Sequence, residues 1–343
     1  MTDVVELTNP FDLPWQTDIV GAVILAMFVI AAVYSAIKWR RGRRIYGVLM
    51  ITAGIYGMML EVIGMMILKI YHRGTFQIML NPAALPLVPD STPALPLYVV
   101  IYYPTMLFVG YKIIEALRVA RPLNAAAVGG LAMIALEAPY VIQGHLDHLS
   151  WWTYNLGSPL VEFVGSWPMI DLCWLATCHA VFFAIIAAVR PSIDPHTVLG
   201  HTRWTNLFAA LGFPSMAAVV VLAATSMISS PMSVVTLLGL PQWMIAAVVV
   251  TGFAVITVHT LMTAAPADHV EPVTTVLVGL YSATFAIMIV VSTASAQMPI
   301  GSTLVQIIGL VVAGFLATYP TLHRRRRMLA DDTDLPAQVS SRT

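Results

Sequence analysis

The stretch "LNAAAVGGLAMIALEAPYVIQ", residues 123–143, carries a single charged side chain, Glu137, in an otherwise apolar run. A run of about 20 apolar residues is long enough to cross the hydrocarbon core of a bilayer as a helix. Similar runs recur along the chain, which is 59% hydrophobic and only 10% charged, whereas soluble domains hold about 25% charged residues. The sequence therefore predicts an all-α, polytopic bundle of transmembrane helices, since helices satisfy their own backbone hydrogen bonds in lipid.

Nine spans are predicted, at residues 18–37, 45–69, 96–117, 123–143, 168–189, 204–226, 242–264, 272–294 and 302–321. With these spans, only Lys69 and Arg73 of the 17 Lys and Arg residues fall on one side of the membrane. Because positively charged loops stay in the cytoplasm, we expect the N-terminus outside and the C-terminus inside a cell membrane.

The chain is divided by its charges into four predicted parts: an outer N-terminal tail (1–17), a five-span half (18–203), a four-span apolar scaffold (204–322) and a basic, then disordered, cytoplasmic tail (323–343). The five-span half holds the acids that fall within or beside the membrane. The apolar half suits packing, or contact with a membrane subunit or a second copy of the chain. The net charge is zero, so no overall field attracts nucleic acid.

Four acids are the candidate catalytic residues: Glu61, Glu137, Glu162 and Asp171. Under the predicted topology all four lie in the outer third of the membrane or in the outer loop. An acid inside a membrane is costly and is by default a functional candidate. The alternative is that each acid only binds a neighbouring helix through a hydrogen bond, or lies at a wet interface.

Glu61 lies on a stripe of glycines in the second span. Gly54, Gly57, Glu61 and Gly64 follow each other at spacings of three and four residues, which places them on one helix face. Such a stripe allows a second helix or a flat ligand to approach closely.

Aromatic residues accompany the acids and are the candidate substrate-binding residues: Tyr98, Tyr102, Tyr140, Trp151, Trp152, Tyr154, Trp167 and Trp174. A carboxyl group in a dry cavity can stay protonated and deliver its proton to a weakly basic substrate. Aromatic faces stabilise a cation that develops nearby. These are the requirements for protonating an alkene, although Trp and Tyr also occur in ordinary interfacial belts.

The histidines give no pattern typical of a metal or haem protein. His145, Asp147 and His148 form the sequence "HLDH", which a solvated outer loop explains, because a zinc site needs three or four ligands in a defined geometry. His179 and His259 lie deep in predicted spans, where packing is the simpler interpretation. We expect no metal and no cofactor.

Several short motifs together resemble membrane proteins of carotenoid biosynthesis. They are "LEVIG" (60–64), "LEAP" (136–139), "WWTYN" (151–155) and "GSPLVEFVGSWP" (157–168). Residues that resemble motif positions of the integral membrane lycopene cyclases are Trp152, Tyr154, Asn155, Pro159 and Glu162; those that resemble the bacterioruberin-type hydratases are Glu61, Gly64, Glu137, Pro139, Trp152, Tyr154, Gly157 and Pro159. The resemblance covers about residues 45–190. One acid stands where the cyclases have a pair, and "LEAP" stands where the hydratases have Asp-Pro.

The resemblance implies a lipid-soluble isoprenoid substrate and a metal-independent cyclase or hydratase. Glu137 or Glu61 would donate the proton to an alkene, and the sequence does not decide whether deprotonation or water capture ends the reaction. Two other classes stay open: a proton-coupled transporter, in which the same acids titrate during transport, and a non-catalytic membrane subunit that binds a lipid or a partner.

Overall fold

The computed structural model describes residues 4–81, 94–193, 238–263 and 271–333. Within these ranges, eight helices are long and apolar enough to cross a membrane: Trp15–Arg40, Ile45–Ile67, Leu97–Ala116, Pro122–Gly144, Met169–Arg190, Gln242–Thr263, Val273–Ala294 and Ile300–Arg324. Their limits differ by at most three residues from those predicted. The predicted span 204–226 lies outside the described residues. The protein is thus a multi-pass membrane protein, and the prediction of a helical bundle is confirmed.

The helices are α1 (Trp15–Arg40), α2 (Ile45–Val62), α3 (Leu97–Ala116), α4 (Pro122–Gly144), α5 (Met169–Trp174), α6 (Ala180–Ile193), α7 (Gln242–Thr263), α8 (Val273–Ala294) and α9 (Ile300–Thr333). A π-helical turn, Ile63–Ile67, extends α2, and a second, Leu175–His179, joins α5 to α6. Such turns shift the register of the side chains and are frequent at functional sites.

Helix α4 lies at the centre of the bundle and packs against α3, α6, α7, α8 and α9. Its small residues allow this. A Cβ atom added at Gly129 would lie 2.2 Å from the ring of Phe183, and one at Gly130 would lie 2.5 Å from the ring of Phe253. The glycines therefore admit aromatic rings from two neighbouring helices, as small residues do at helix interfaces in membranes.

Short strands connect the helices: β1 (Val5–Leu7), β2 (Tyr71–Arg73), β3 (Ile78–Leu80), β4 (Leu95–Pro96), β5 (Trp152–Tyr154), β6 (Phe163–Val164) and β7 (Trp167–Pro168). They form an antiparallel β1–β3–β4 sheet and the pairs β2–β5 and β6–β7. The predicted N-terminal tail thus includes a paired strand. At the other terminus α9 continues through the basic residues to Thr333, and residues 334–343 lie outside the described part.

Strands β2 and β5 together form a lid over one end of the bundle, here called the cavity end. Tyr71 pairs with Tyr154, and Arg73 pairs with Trp152. Side chains alternate between the two faces of a strand, so these four side chains turn toward the bundle, while His72 between them is exposed. The lid brings two distant loops together above α2, α3 and α4.

The opposite end, here called the basic end, holds an ionic network. Lys112 Nζ lies 2.5 Å from Glu115 Oε2 and 2.9 Å from Glu271 Oε2, and Lys38 also pairs with Glu271. Arg43 donates to Glu115 at 2.6 Å. These contacts join α1, α3 and the loop before α8.

Candidate functional site

A cavity of about 50 Å³ lies beneath the lid. It is lined by Leu60, Tyr71, Arg73, Val99, Tyr102, Tyr103, Glu137, Tyr140, Val141, Trp152, Tyr154, Asp171 and His179. These residues come from α2, α3, α4, β2, β5, α5 and the second π-helical turn. We call it the acid cavity.

Glu61 is fully buried behind the cavity wall and is held by three residues that line it. Arg73 binds both carboxylate oxygens, with its Nε at 2.9 Å from Oε2. Tyr71 and Tyr103 donate their hydroxyls to the same carboxylate, each at 3.0 Å. Burial lowers the pKa of Arg73, but the Glu61 carboxylate and the neighbouring tyrosines together more than offset this and raise the pKa above its ordinary value. Glu61 and Arg73 thus form a closed ion pair.

The glycine stripe beside Glu61 admits a side chain of α3 at one position. A Cβ atom at Gly57 would lie 2.2 Å from the ring of Tyr103, whereas one at Gly54 would meet nothing within 4 Å. The close approach at Gly57 is what lets the Tyr103 hydroxyl reach Glu61.

Glu137 lines the cavity and contacts a histidine. Its Oε1 lies 3.3 Å from Nε2 of His179. The other ring nitrogen of His179, Nδ1, is 2.8 Å from the hydroxyl of Tyr56. Carboxyl and imidazole are both buried, so a proton can be shared between them without contact with bulk water.

Asp171 is the third carboxyl group at the cavity and accepts a hydrogen bond from Tyr154. Burial raises the pKa of the Tyr154 hydroxyl, and the nearby Asp171 raises it further. The phenol therefore remains the donor of this bond. Two carboxyl groups thus line the cavity, and the guanidinium of Arg73 is matched by a third, Glu61, which lies behind the wall.

The remaining cavity wall is aromatic. The rings of Tyr102 and Tyr140 stack with centroids 4.4 Å apart, and the Tyr140 ring lies 4.9 Å from that of Trp152. Trp152 also covers the guanidinium of Arg73 at 5.0 Å. Its Nε1 is buried and has no hydrogen-bond partner among the described residues. The wall therefore offers stacked ring faces and one free N–H donor.

The structure places several other predicted site residues outside the acid cavity. Glu162 accepts a hydrogen bond from the backbone N–H of Gln242 at 2.6 Å, at the start of α7. Trp151 donates from Nε1 to Thr17 at 2.8 Å. Tyr98 forms part of the wall behind the cavity. Trp167 packs beyond the cavity, against three apolar clusters of the bundle.

The side chain of Trp174 lies outside the described part of the structure, so its predicted role stays a prediction. His145, predicted to be solvated, is half-buried with its ring stacked on Phe163 at 4.8 Å. Within the part of the chain that the structure describes, no three His, Cys, Asp or Glu side chains are grouped so that they could hold a metal ion.

Four of the polar residues that line the cavity were not singled out as site residues from the sequence: Tyr71, Arg73, Tyr103 and His179. Arg73 did carry a signal, because it is one of two basic residues that depart from the charge asymmetry of the chain. His179 was interpreted as packing, and its partner Glu137 is 42 residues away along the chain. For Tyr71 and Tyr103 we see no local signal.

Fold and site together define the class: a multi-pass membrane protein with a buried acid–tyrosine cavity at one end of its bundle. No family model, no curated protein and no solved structure matches the chain.

Proposed function

We propose that the protein is a metal-independent enzyme of the cell membrane that protonates a carbon–carbon double bond of a carotenoid or another isoprenoid chain, as a cyclase or a hydratase. One observation carries this proposal. Glu137 and Asp171 face one small, aromatic cavity, while the guanidinium of Arg73 is taken by Glu61. Buried carboxyl groups beside a histidine at such a site are suited to proton transfer.

We assign different roles to the four predicted acids. Glu137 is the proposed proton donor, and His179 next to it returns a proton to the Glu137 carboxylate after the reaction. Asp171 is a second donor or the final base. Glu61 is a positioning residue, because it orients Arg73 and two tyrosines through four hydrogen bonds. Glu162 is a structural residue, because its carboxylate binds the first backbone N–H of α7.

The aromatic wall would stabilise the carbocation that follows protonation. Stacked Tyr102 and Tyr140 present ring faces, and a ring face attracts a cation by about 0.5–2 kcal/mol. The unpartnered N–H of Trp152 suits an oxygen acceptor, either water or an oxygen of the substrate. A cavity of about 50 Å³ admits only the reacting end of a long chain.

The test is expression in a host that accumulates lycopene and longer acyclic polyenes, followed by pigment analysis. Wild-type protein should produce a cyclised or hydrated pigment. Glu137→Gln should lose it at an unchanged protein level, because the amide cannot donate an acidic proton. Glu162→Gln is the matched control, since it changes an acid at the same end of the bundle that lies outside the cavity, and should retain conversion.

Two outcomes would overturn parts of the proposal. An unchanged pigment profile with wild-type protein would remove carotenoids as substrates. Full conversion by Glu137→Gln would remove Glu137 as the donor and leave Asp171, to be tested as Asp171→Asn.

A proton-coupled carrier is the second candidate function, and the ionic network at the basic end favours it. Lys112 and Glu115 of α3 and Glu271 of the loop before α8 form a second, partly buried charge cluster, and α3 also lines the acid cavity. The test is proton uptake into proteoliposomes, measured as acidification of their interior under a proton gradient. Uptake by the wild type that Glu137→Gln and Glu271→Gln each reduce would support this candidate. The third open class, a non-catalytic subunit, would show neither pigment conversion nor proton flux.

A further inference from the structure

A second cavity, of about 350 Å³, lies between the beginning of α1 and the beginning of α3. It is lined by Pro10, Asp18, Gly21, Ala22, Leu25, Phe76, Gln77, Ile78, Leu97, Tyr98 and Ile101. We call it the α1–α3 groove. Ala22 and Leu25 are exposed on α1, so the groove opens on a side of the bundle that faces lipid.

Tyr98 is the wall between the groove and the acid cavity. Its ring lines the groove, and its hydroxyl lies 3.1 Å from Nη1 of Arg73 and 2.5 Å from the hydroxyl of Tyr140. Both partners line the acid cavity. Phe76, the other aromatic residue of the groove, packs on Tyr98 with ring centroids 4.2 Å apart. Tyr98 therefore lies between the lipid-facing groove and two residues that line the acid cavity.

The two cavities differ in size in a way that suits a long substrate. The acid cavity, about 50 Å³, has room for a few water-sized groups. The groove, about 350 Å³, falls in the range of small-molecule sites, roughly 300–1,000 Å³. From Asp18 to Leu25 the groove follows α1 for roughly 10 Å at 1.5 Å per residue. The hydrocarbon core is about 30 Å thick, so the groove has room for one end of a long chain and not for a chain that spans the core.

The groove offers little to a polar ligand. Its carboxylate, Asp18, accepts a hydrogen bond from Nε2 of Gln77 at 2.6 Å, so the two polar side chains satisfy each other. A Cβ atom at Gly21 would lie 3.0 Å from Oε1 of Gln77. The Asp18–Gln77 pair thus packs against α1, and the rest of the groove lining is apolar apart from Tyr98.

We propose that the α1–α3 groove binds the apolar end of the isoprenoid substrate, and that displacement of Tyr98 admits the reacting group to the acid cavity. This inference rests on the proposed function. It specifies that the substrate is a long chain, and that this chain enters the protein sideways from the bilayer. The occupant is a prenyl chain without a charged group, because the lining is apolar apart from Tyr98 and the hydrogen-bonded pair of Asp18 and Gln77.

The test is photolabelling of the purified protein in lipid nanodiscs with a prenyl alcohol that carries a diazirine. Label should map to residues 18–25 and 97–101. Ala22→Trp fills the groove and should reduce labelling of these residues about tenfold, the equivalent of ~1.4 kcal/mol of binding. Ala26→Trp is the matched control: Ala26 is exposed one turn further along α1, outside the groove lining, and the variant should label as wild type.

Equal labelling of wild type and Ala22→Trp would overturn the proposal. So would equal labelling of the groove by a diazirine phosphatidylcholine, because the groove would then hold ordinary membrane lipid. The pigment assay separates the two proposals. Groove labelling without pigment conversion would reject the enzyme and keep a prenyl-binding site. Wild-type conversion by Ala22→Trp would reject the groove and keep the enzyme.

Discussion

Arg73 shows how one basic residue at an unusual position can indicate a functional site. It lies on the side of the bundle with few basic residues, and its side chain is 8% exposed. Such burial is tolerated only with a matched counter-charge, which Glu61 provides. The ion pair is therefore a rigid part of the cavity wall, and it orients Tyr98 through a second bond from the same guanidinium.

The first prediction concerns this ion pair. Glu61→Gln leaves the Arg73 guanidinium buried without a counter-charge, and breaking a buried pair in this way costs about 3–5 kcal/mol. We expect a clearly lower thermal unfolding midpoint in detergent, measured by loss of monodisperse protein in size-exclusion chromatography. The double variant Glu61→Met/Arg73→Met should recover most of the loss, because no charge is left unpaired. An undiminished midpoint for Glu61→Gln would contradict the pairing.

The second prediction concerns His145, whose pKa is lowered from its ordinary value by burial. Its folded-state pKa is thus below its unfolded-state pKa, so the unfolded chain binds the proton more readily. Stability is full above the ordinary value of 6.5 and falls as the pH drops through it. His145→Phe keeps the ring stack on Phe163 and should show a smaller fall in unfolding midpoint between pH 7 and pH 5.

His72→Phe is the matched control for this pH dependence, because His72 is exposed on the outer face of the lid. It should keep the wild-type dependence. If His145→Phe and the wild type respond identically to acid, burial of His145 does not contribute to the acid sensitivity.

At the scale of the elements, the loop before α5 controls where α7 begins. Glu162 places its carboxylate on the first backbone N–H of α7, 80 residues further along the chain. The N-terminus of a helix attracts negative charge, and a hydrogen bond to a charged group contributes about 1.5–3 kcal/mol. The residue that resembled a catalytic acid in the sequence thus serves as a helix cap.

The third prediction follows from this cap. Glu162→Gln removes the charge but keeps the shape, so the first turn of α7 should open more often. Hydrogen exchange of residues 242–246 should accelerate about tenfold, the equivalent of ~1.4 kcal/mol. Asp147→Asn, an exposed acid at the same end of the bundle, should leave this exchange unchanged. Unaltered exchange in Glu162→Gln would show that the bond does not hold α7.

The two π-helical turns have a comparable effect on the acid cavity. The first follows Glu61 on α2, and the second ends at His179. Each inserts one extra residue into the helical register. The turns lie beside the two pairs Glu61–Arg73 and Glu137–His179, so the irregular helical backbone occurs where the ionisable side chains of the site meet.

At the scale of the whole molecule, the two ends of the bundle hold different charge clusters. The cavity end gathers the carboxyl groups with one guanidinium, and the basic end joins α1, α3 and the loop before α8 through Lys38, Lys112 and Glu271. The positive-inside rule then predicts that the basic end faces the cytoplasm.

The fourth prediction tests this orientation. In a variant with Cys173 and Cys178 replaced by serine, Thr153→Cys should react with a membrane-impermeant maleimide in intact cells, because Thr153 is exposed at the cavity end. Arg41→Cys, exposed at the basic end, should react only after the cells are permeabilised. The reverse pattern would place the acid cavity on the cytoplasmic side.

Described helices of the two predicted membrane halves contact each other directly. Tyr281 of α8 donates its hydroxyl to the backbone oxygen of Leu136 at 2.6 Å, and Gln306 of α9 accepts from Gln143 of α4 at 3.0 Å. The apolar scaffold therefore surrounds α4, the helix that carries Glu137.

The sequence by itself determined the class of the protein, the described spans and the acid-rich end. Each span satisfies its backbone hydrogen bonds within about 20 consecutive residues, so length and apolarity can be read locally. The partners of the acids depended on the tertiary structure, because the residue that each carboxyl group contacts lies far away along the chain. Glu137 meets His179 at a separation of 42 residues and Glu162 meets α7 at 80. No local pattern reports such contacts, since only the packed helices and the lid bring them within hydrogen-bond distance.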